Sequence, residues 1–141
     1  MNRLTLQSLR EVIKAVTETS GFDRVLNKMT VLSADSGKVV CEMEVAKEHT
    51  NRGETLHGGL TATLVDVVST AALLHSERGA PGVSVDMNIT YVSAAKIGDE
   101  ILITAEILKQ GKRLAFTTVD LTNKATGKLI AQGRHTKYLG S

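Results

Sequence analysis

Leu60-Thr61-Ala62-Thr63-Leu64-Val65-Asp66-Val67-Val68-Ser69-Thr70-Ala71-Ala72-Leu73-Leu74-His75 is the stretch that decides the fold. Leu60, Leu64, Val67, Val68, Ala71 and Leu74 recur at helical spacing and make one broad apolar face. The opposite face carries Gly59, Ala62, Thr63, Asp66, Ser69 and Thr70, all small or short. Such a face lets another backbone come close, so the helix is predicted to be covered on both sides.

Downstream of this helix, after Gly79-Ala80-Pro81-Gly82, the period drops to two. Val83, Val85, Met87, Ile89 and Tyr91 alternate with Ser84, Asp86, Asn88 and Thr90. Ile101 to Leu108, Leu114 to Leu121 and Leu129 to Tyr138 read as three further strands. Gly98-Asp99, Gln110-Gly111-Lys112 and Asn123 to Gly127 are short enough to close antiparallel hairpins, which predicts a four-stranded meander.

Upstream, Leu9, Val12, Ile13 and Val16 form one helical stripe, in a helix predicted to end near Ser20-Gly21. Lys38 to Val45 alternates, with Val39, Cys41, Met43 and Val45 on one face, and Val31-Leu32 before the Asp35-Ser36-Gly37 turn pairs with it. Residues 46–59 read as an irregular loop. The order predicts an α+β fold, an antiparallel sheet curled around a central helix.

Composition sets outer bounds. At 141 residues the chain is long enough for one domain, taken as 1–141, and 42% hydrophobic with 23% charged residues is ordinary for a globular protein. The longest aliphatic run, Ala71 to Leu74, predicts no membrane span. A net charge of +2 and only four aromatics, Phe22, Tyr91, Phe116 and Tyr138, argue against a nucleic-acid partner. Cys41 alone can form neither an internal disulfide nor a cysteine zinc cage. Met1 to Leu6 lacks a secretory apolar stretch. Arg3, Arg10 and Lys14 on an amphipathic segment suit a mitochondrial presequence, whereas Glu11 and Glu18 oppose it. A reducing cytosolic location is expected, with mitochondria as the alternative.

Four features could carry chemistry: Asn51, His57-Gly58-Gly59, Asp66 and Ser84. A helix N-terminus offers unpaired amides to negative charge, and glycines let a substrate reach them. Gly58-Gly59 equally suits a plain loop-to-helix junction, and His57 a loop histidine without a role. Asp66 is the sharper signal, because aspartate is a poor helix-interior residue and this helix is the most apolar in the chain. Its alternative is a solvated face shared with Thr63, Ser69 and Thr70. Ser84 alone is ordinary for the polar side of a strand.

Gly58 and Asp66 are separated by eight helical positions, about 12 Å at ~1.5 Å per residue. One chain therefore cannot bring that amide and that carboxylate to one reacting carbon. Two chains with antiparallel central helices can, which predicts a two-fold dimer with two composite sites. Competing motifs are missing: there is no Gly-x-Gly-x-x-Gly, no Walker loop, no Gly-x-Ser-x-Gly elbow and no His-Glu-x-x-His.

The order of amphipathic helix, strands, Asn51, Leu56-His57-Gly58-Gly59, helical Asp66 and meander resembles the hotdog-fold acyl-CoA thioesterases of the phenylacetate-pathway and 4-hydroxybenzoyl-CoA type. The likeness runs through Ser8 to Ala15, Thr55 to Asp66, Arg78 to Tyr91 and Leu114 to Thr136, nearly the whole chain. It implies hydrolysis of medium- or long-chain fatty acyl-CoA, with no metal and no cofactor other than the coenzyme A of the substrate. It also implies a homo-oligomer, a dimer of dimers, and a lipid-transfer protein as partner. By position, the Gly58 amide and the Asn51 side chain would polarise the thioester carbonyl, one such donor being worth about 3 kcal/mol. Asp66 would act as general base on a water oriented by Ser84, a contribution of roughly 10²- to 10⁴-fold. His57 would line the site.

The resemblance also places coenzyme A. Tyr91, Val92, Ser93, Ala94, Ala95 and Lys96 form one lining segment. Lys109, Gln110, Gly111, Lys112, Arg113 and Leu114 form the other, with Ser84 and Tyr138 beside the nucleotide path. Ala94 stands where the family usually has proline, and Tyr138 where histidine is expected. A non-catalytic acyl-CoA or lipid-binding module and a hotdog dehydratase are the competing functions, and attack by water or directly by the carboxylate stays open.

Overall fold

The computed structural model describes residues 4–140. Helix α1 (Leu6–Glu18) is followed by strands β1 (Thr30–Asp35) and β2 (Lys38–Glu44), helix α2 (Gly58–His75), and strands β3 (Val83–Tyr91), β4 (Glu100–Gln110), β5 (Leu114–Asn123) and β6 (Leu129–Tyr138). All six strands form one sheet in the order β1-β2-β4-β5-β6-β3, every neighbour antiparallel. The sheet wraps α2, which packs on strands β1, β2, β4, β5 and β6 and meets α1.

The core follows the alternation in the sequence. Val39, Cys41 and Met43 of β2 and Ile101, Ile103 and Ala105 of β4 are buried at 1% exposure or less. Leu64, Val65 and Val68 of α2 are fully buried against them. Cys41 is part of this apolar layer, and burial pushes its thiol up to about 12, so no reactive thiolate exists at neutral pH.

The four-stranded meander is corrected. β4–β5 and β5–β6 are hairpins as expected, but β3 pairs with β6 and β4 pairs with β2. Gly98-Asp99 closes no hairpin. Instead the segment after β3 crosses the end of the wrapped sheet. Val92 and Ser93 N–H donate to Ile130 O, Leu56 N–H donates to Ala95 O, and Gly98 N–H donates to Val45 O. Period-two alternation states which side chains share a face; it does not state which strand lies alongside.

Three smaller corrections concern the helices. α1 ends at Glu18, and its stripe turns so that Leu9, Ile13 and Thr17 are buried while Val16 is exposed. Arg3, part of the presequence reading, lies outside the described residues. α2 does have the length and apolar composition to cross a bilayer, although no long aliphatic run betrays it; 56% of it is buried within the fold, where it is the core helix. Ser69, assigned to the open face, is fully buried, whereas Gly59, Ala62, Thr63, Asp66 and Thr70 keep contact with solvent.

β3 is a sheet edge, and it is exposed on both faces along nearly its whole length. Val83, Val85, Met87 and Tyr91 are between 38% and 64% exposed. A long apolar edge left open invites pairing with another strand.

Candidate active site

The start of α2 is shaped by three residues. His57 caps the helix, its Nδ1 accepting the Gly59 N–H at 2.8 Å. A side chain at 59 would come within 3.0 Å of that ring, so Gly59 permits the cap. Tyr91, from the end of β3, donates its hydroxyl to Gly58 O at 2.9 Å and lays its ring over Gly58. Among the described residues nothing accepts the Gly58 N–H. It is a free donor at the positive end of the helix.

Asn51 sits beside this end. It lines an open depression of about 480 Å³ with Lys47, Thr50, Arg52 and His57. Its Oδ1 accepts the Gly53 and Thr55 N–H groups at 2.9 and 3.2 Å, and its Nδ2 donates to Thr55 Oγ1 at 3.0 Å. One amide proton is left to face outward. The loop behind is latched by buried His49, whose ring accepts the Ala46 N–H and reaches Val25 O, while its carbonyl accepts the His57 N–H.

Two turns along α2, Asp66 has a half-exposed carboxylate with Oδ1 4.0 Å from His135 Nδ1. His135 is buried, with Ser69 Oγ 2.8 Å from Nδ1 and Ser84 Oγ 2.7 Å from Nε2. Burial holds the imidazole below its ordinary range; the Asp66 and Asp86 charges oppose that, and Lys137 reinforces it. The ring is therefore neutral near pH 7. Ser69 Oγ also lies 3.1 Å from Asp66 O, within reach of donation to that carbonyl. A neutral ring carries one N–H, so it donates to one of these two serines and accepts from the other.

Lys137, two residues along β6, is only 4% exposed and donates Nζ–H to Thr70 Oγ1 at 2.6 Å. Burial pulls its ammonium below the usual lysine range, against the Asp66 charge. Sequence reasoning passed over both β6 residues. The signal was present in the strand's own alternation, because His135 and Lys137 share phase with Ala131 and Gly133, all facing α2. Among the described residues no three His, Cys, Asp or Glu side chains gather to hold a metal ion.

The chain separates its expected residues into two groups. Gly58, Asn51, His57 and Tyr91 stand at one end of α2; Asp66 and Ser84 stand farther along it, joined there by His135. The coenzyme A segments divide likewise. Tyr91 to Lys96 lies at one end of β3, where Ala95 is buried in the core and Lys96 N–H donates to Asp99 Oδ2. Lys109 to Leu114 lies at the other end, where Leu114 pairs with Tyr138, Tyr138 pairs with Val83, and Gln110 Nε2 donates to Ser76 Oγ. The ends of this strand are about 26 Å apart at ~3.3 Å per residue.

Residues 53–130 match the family described as "Thioesterase superfamily". The chain belongs to this superfamily. The thioesterase-superfamily match takes in Gly58, Asp66 and Ser84, whereas Asn51, His135 and Lys137 lie outside its bounds. The human protein named acyl-coenzyme A thioesterase 13 is 73% identical over 135 residues, 96% of each chain. The crystal structure of zebra fish thioesterase superfamily member 2 superposes with a TM-score of 0.95 at 70% identity, covering 97% of this chain and 99% of that one. A hypothetical thioesterase from Streptococcus pneumoniae, solved with coenzyme A, reaches a TM-score of 0.75 at 26% identity over 80% of this chain and 89% of that one. The sheet wrapped around α2 is thus the hotdog fold.

Proposed function

We propose that this protein hydrolyses acyl-CoA thioesters, and that each active site is built by two subunits. The free Gly58 N–H and the Asn51 amide of one subunit grip the thioester oxygen. The Asp66 carboxylate of the other takes a proton from water, whose oxygen attacks the thioester carbon. Ser84 Oγ, donating its own proton to His135 Nε2, accepts a hydrogen bond from the remaining water O–H and so aims the attacking lone pair. The tetrahedral oxyanion collapses, the carbon–sulfur bond breaks, and the coenzyme A thiolate leaves with the proton that Asp66 took from water. Medium- to long-chain fatty acyl groups are the substrates that the family resemblance implies.

One observation carries this reading: the oxyanion donor and the base lie about 12 Å apart on a single rigid helix, too far to serve one carbon. A two-fold axis near Ala62 reverses that offset and sets Gly58 of one subunit against Asp66 of the other. The same operation pairs β3 with its copy about Met87-Asn88, which buries the open edge and brings Tyr91 toward Ser84. It also supports a coenzyme A path made of Tyr91 to Lys96 from one subunit and Lys109 to Leu114 with Tyr138 from its partner. The similarity to proteins named for acyl-coenzyme A hydrolysis and to one solved with coenzyme A supports the substrate class.

Palmitoyl-CoA turnover by wild type and Asp66→Ala tests the assignment. The variant should fold and lose roughly 10²- to 10⁴-fold in rate. Equal rates would remove Asp66 as base, and no rate in either protein would favour a binding module. Single turnover in ¹⁸O-water should label the fatty acid alone; label in Asp66 would mean direct carboxylate attack.

A further inference from the structure

We propose that Lys137 is a positioning residue for hydrolysis: its buried ammonium ties β6 to the Asp66 turn of α2 and presents the positive charge that faces the carboxylate. This rests on Asp66 being the base. Lysine is almost never this deeply buried without a reason, and among the described residues no carboxylate approaches its Nζ within ion-pair distance. Its hydrogen bond goes to Thr70 Oγ1, and Thr70 passes its own proton to Asp66 O at 2.8 Å. Ser69, the neighbouring residue, is held by His135. The helical turn that carries Asp66 is therefore pinned twice from one strand, through His135 and through Lys137.

A purely structural role explains this poorly. A buried ammonium with one neutral hydroxyl partner costs the fold stability, and an apolar side chain of the same length would fill the space without that cost. The groups facing Lys137 are Asp66 and Thr70 of α2, Ser84 of β3, Ala115 of β5 and His135 of β6. Of these, Asp66 is the charge that favours its ammonium form. The lysine and the carboxylate thus form a loose pair across the floor of the site, with the carboxylate free to meet water.

The test compares Lys137→Met, Lys137→Gln and Lys137→Arg with wild type in palmitoyl-CoA hydrolysis and thermal melting. Met should lower kcat on the order of tenfold, leave KM unchanged and keep or raise Tm. Gln, retaining a donor but no charge, should fall between Met and wild type, and Arg should restore most of kcat. Wild-type rate should decline on the alkaline side as Lys137 loses its proton, and Arg should hold the plateau to higher pH. A Met variant within twofold of wild-type kcat overturns the proposal. So does a loss that tracks a lowered Tm without rescue by Arg. If Asp66→Ala is inactive while Lys137→Met is fully active, only the lysine assignment fails; if both are active, the base assignment fails as well.

Discussion

Gly133→Ala probes the contact that seats β6 on α2. A Cβ at 133 would lie 2.7 and 2.8 Å from the two Val65 methyl carbons and 3.3 Å from its Cβ. Ordinary carbon contacts are ~3.5–4.0 Å, so the overlap is roughly 0.7–1.3 Å on two atoms at once. Val65 has no exposure, and a β-branched residue in a helix has one favoured rotamer, so it cannot turn aside. Overpacking of this kind costs about 1–3 kcal/mol, against a gain of roughly 0.4–1 kcal/mol from stiffening the unfolded chain. The net is a loss of about 1–2 kcal/mol, or a Tm lower by roughly 3–8 °C for a chain of this size. Differential scanning calorimetry reads it, and Val65→Ala in the same chain should recover part of the loss. Because β6 carries His135 and Lys137 onto the Asp66 turn, hydrolysis should fall too. An unchanged or raised Tm would refute the packing described here.

Two further outcomes follow from the buried groups. His135 has its folded-state value held below the unfolded value of about 6.5, so the unfolded chain binds the proton first. Its contribution to stability is intact above that pH and is lost as pH falls toward the folded value. Tm should therefore drop less steeply between pH 6.5 and 5 in His135→Gln than in wild type; equal slopes would contradict a neutral buried ring. Cys41, fully buried with its thiol raised to about 12, should resist a thiol reagent in native buffer and react in denaturant. Rapid labelling of the native protein would contradict its place in the core.

Much of this architecture is legible in the chain itself. The apolar run from Leu60 to Leu74 could only be a covered helix, and the alternation of Val39, Cys41 and Met43 set the inward face of β2. Strand order was not legible, because alternation says nothing about neighbours; the crossing of residues 92–99 depends on hydrogen bonds to Leu56 and Val45, both far away in sequence. At the site, Asp66 and the glycine junction stood out because each breaks a local preference. Ser69 did not: its burial is decided by His135, 66 residues away. Tyr91 was read only as a coenzyme A contact, whereas its ring and hydroxyl also cover Gly58.

Subunit complementation tests the shared site most directly. Asp66→Ala and Asn51→Ala proteins, each nearly inactive, are mixed, dissociated and reassembled. If each site draws Asn51 with Gly58 from one subunit and Asp66 from the other, half of a random mixture is hybrid. Each hybrid then has one intact site, so about a quarter of wild-type palmitoyl-CoA turnover returns. Reassembly that yields no more than the sum of the two parents would place both groups in one chain's site and contradict the account.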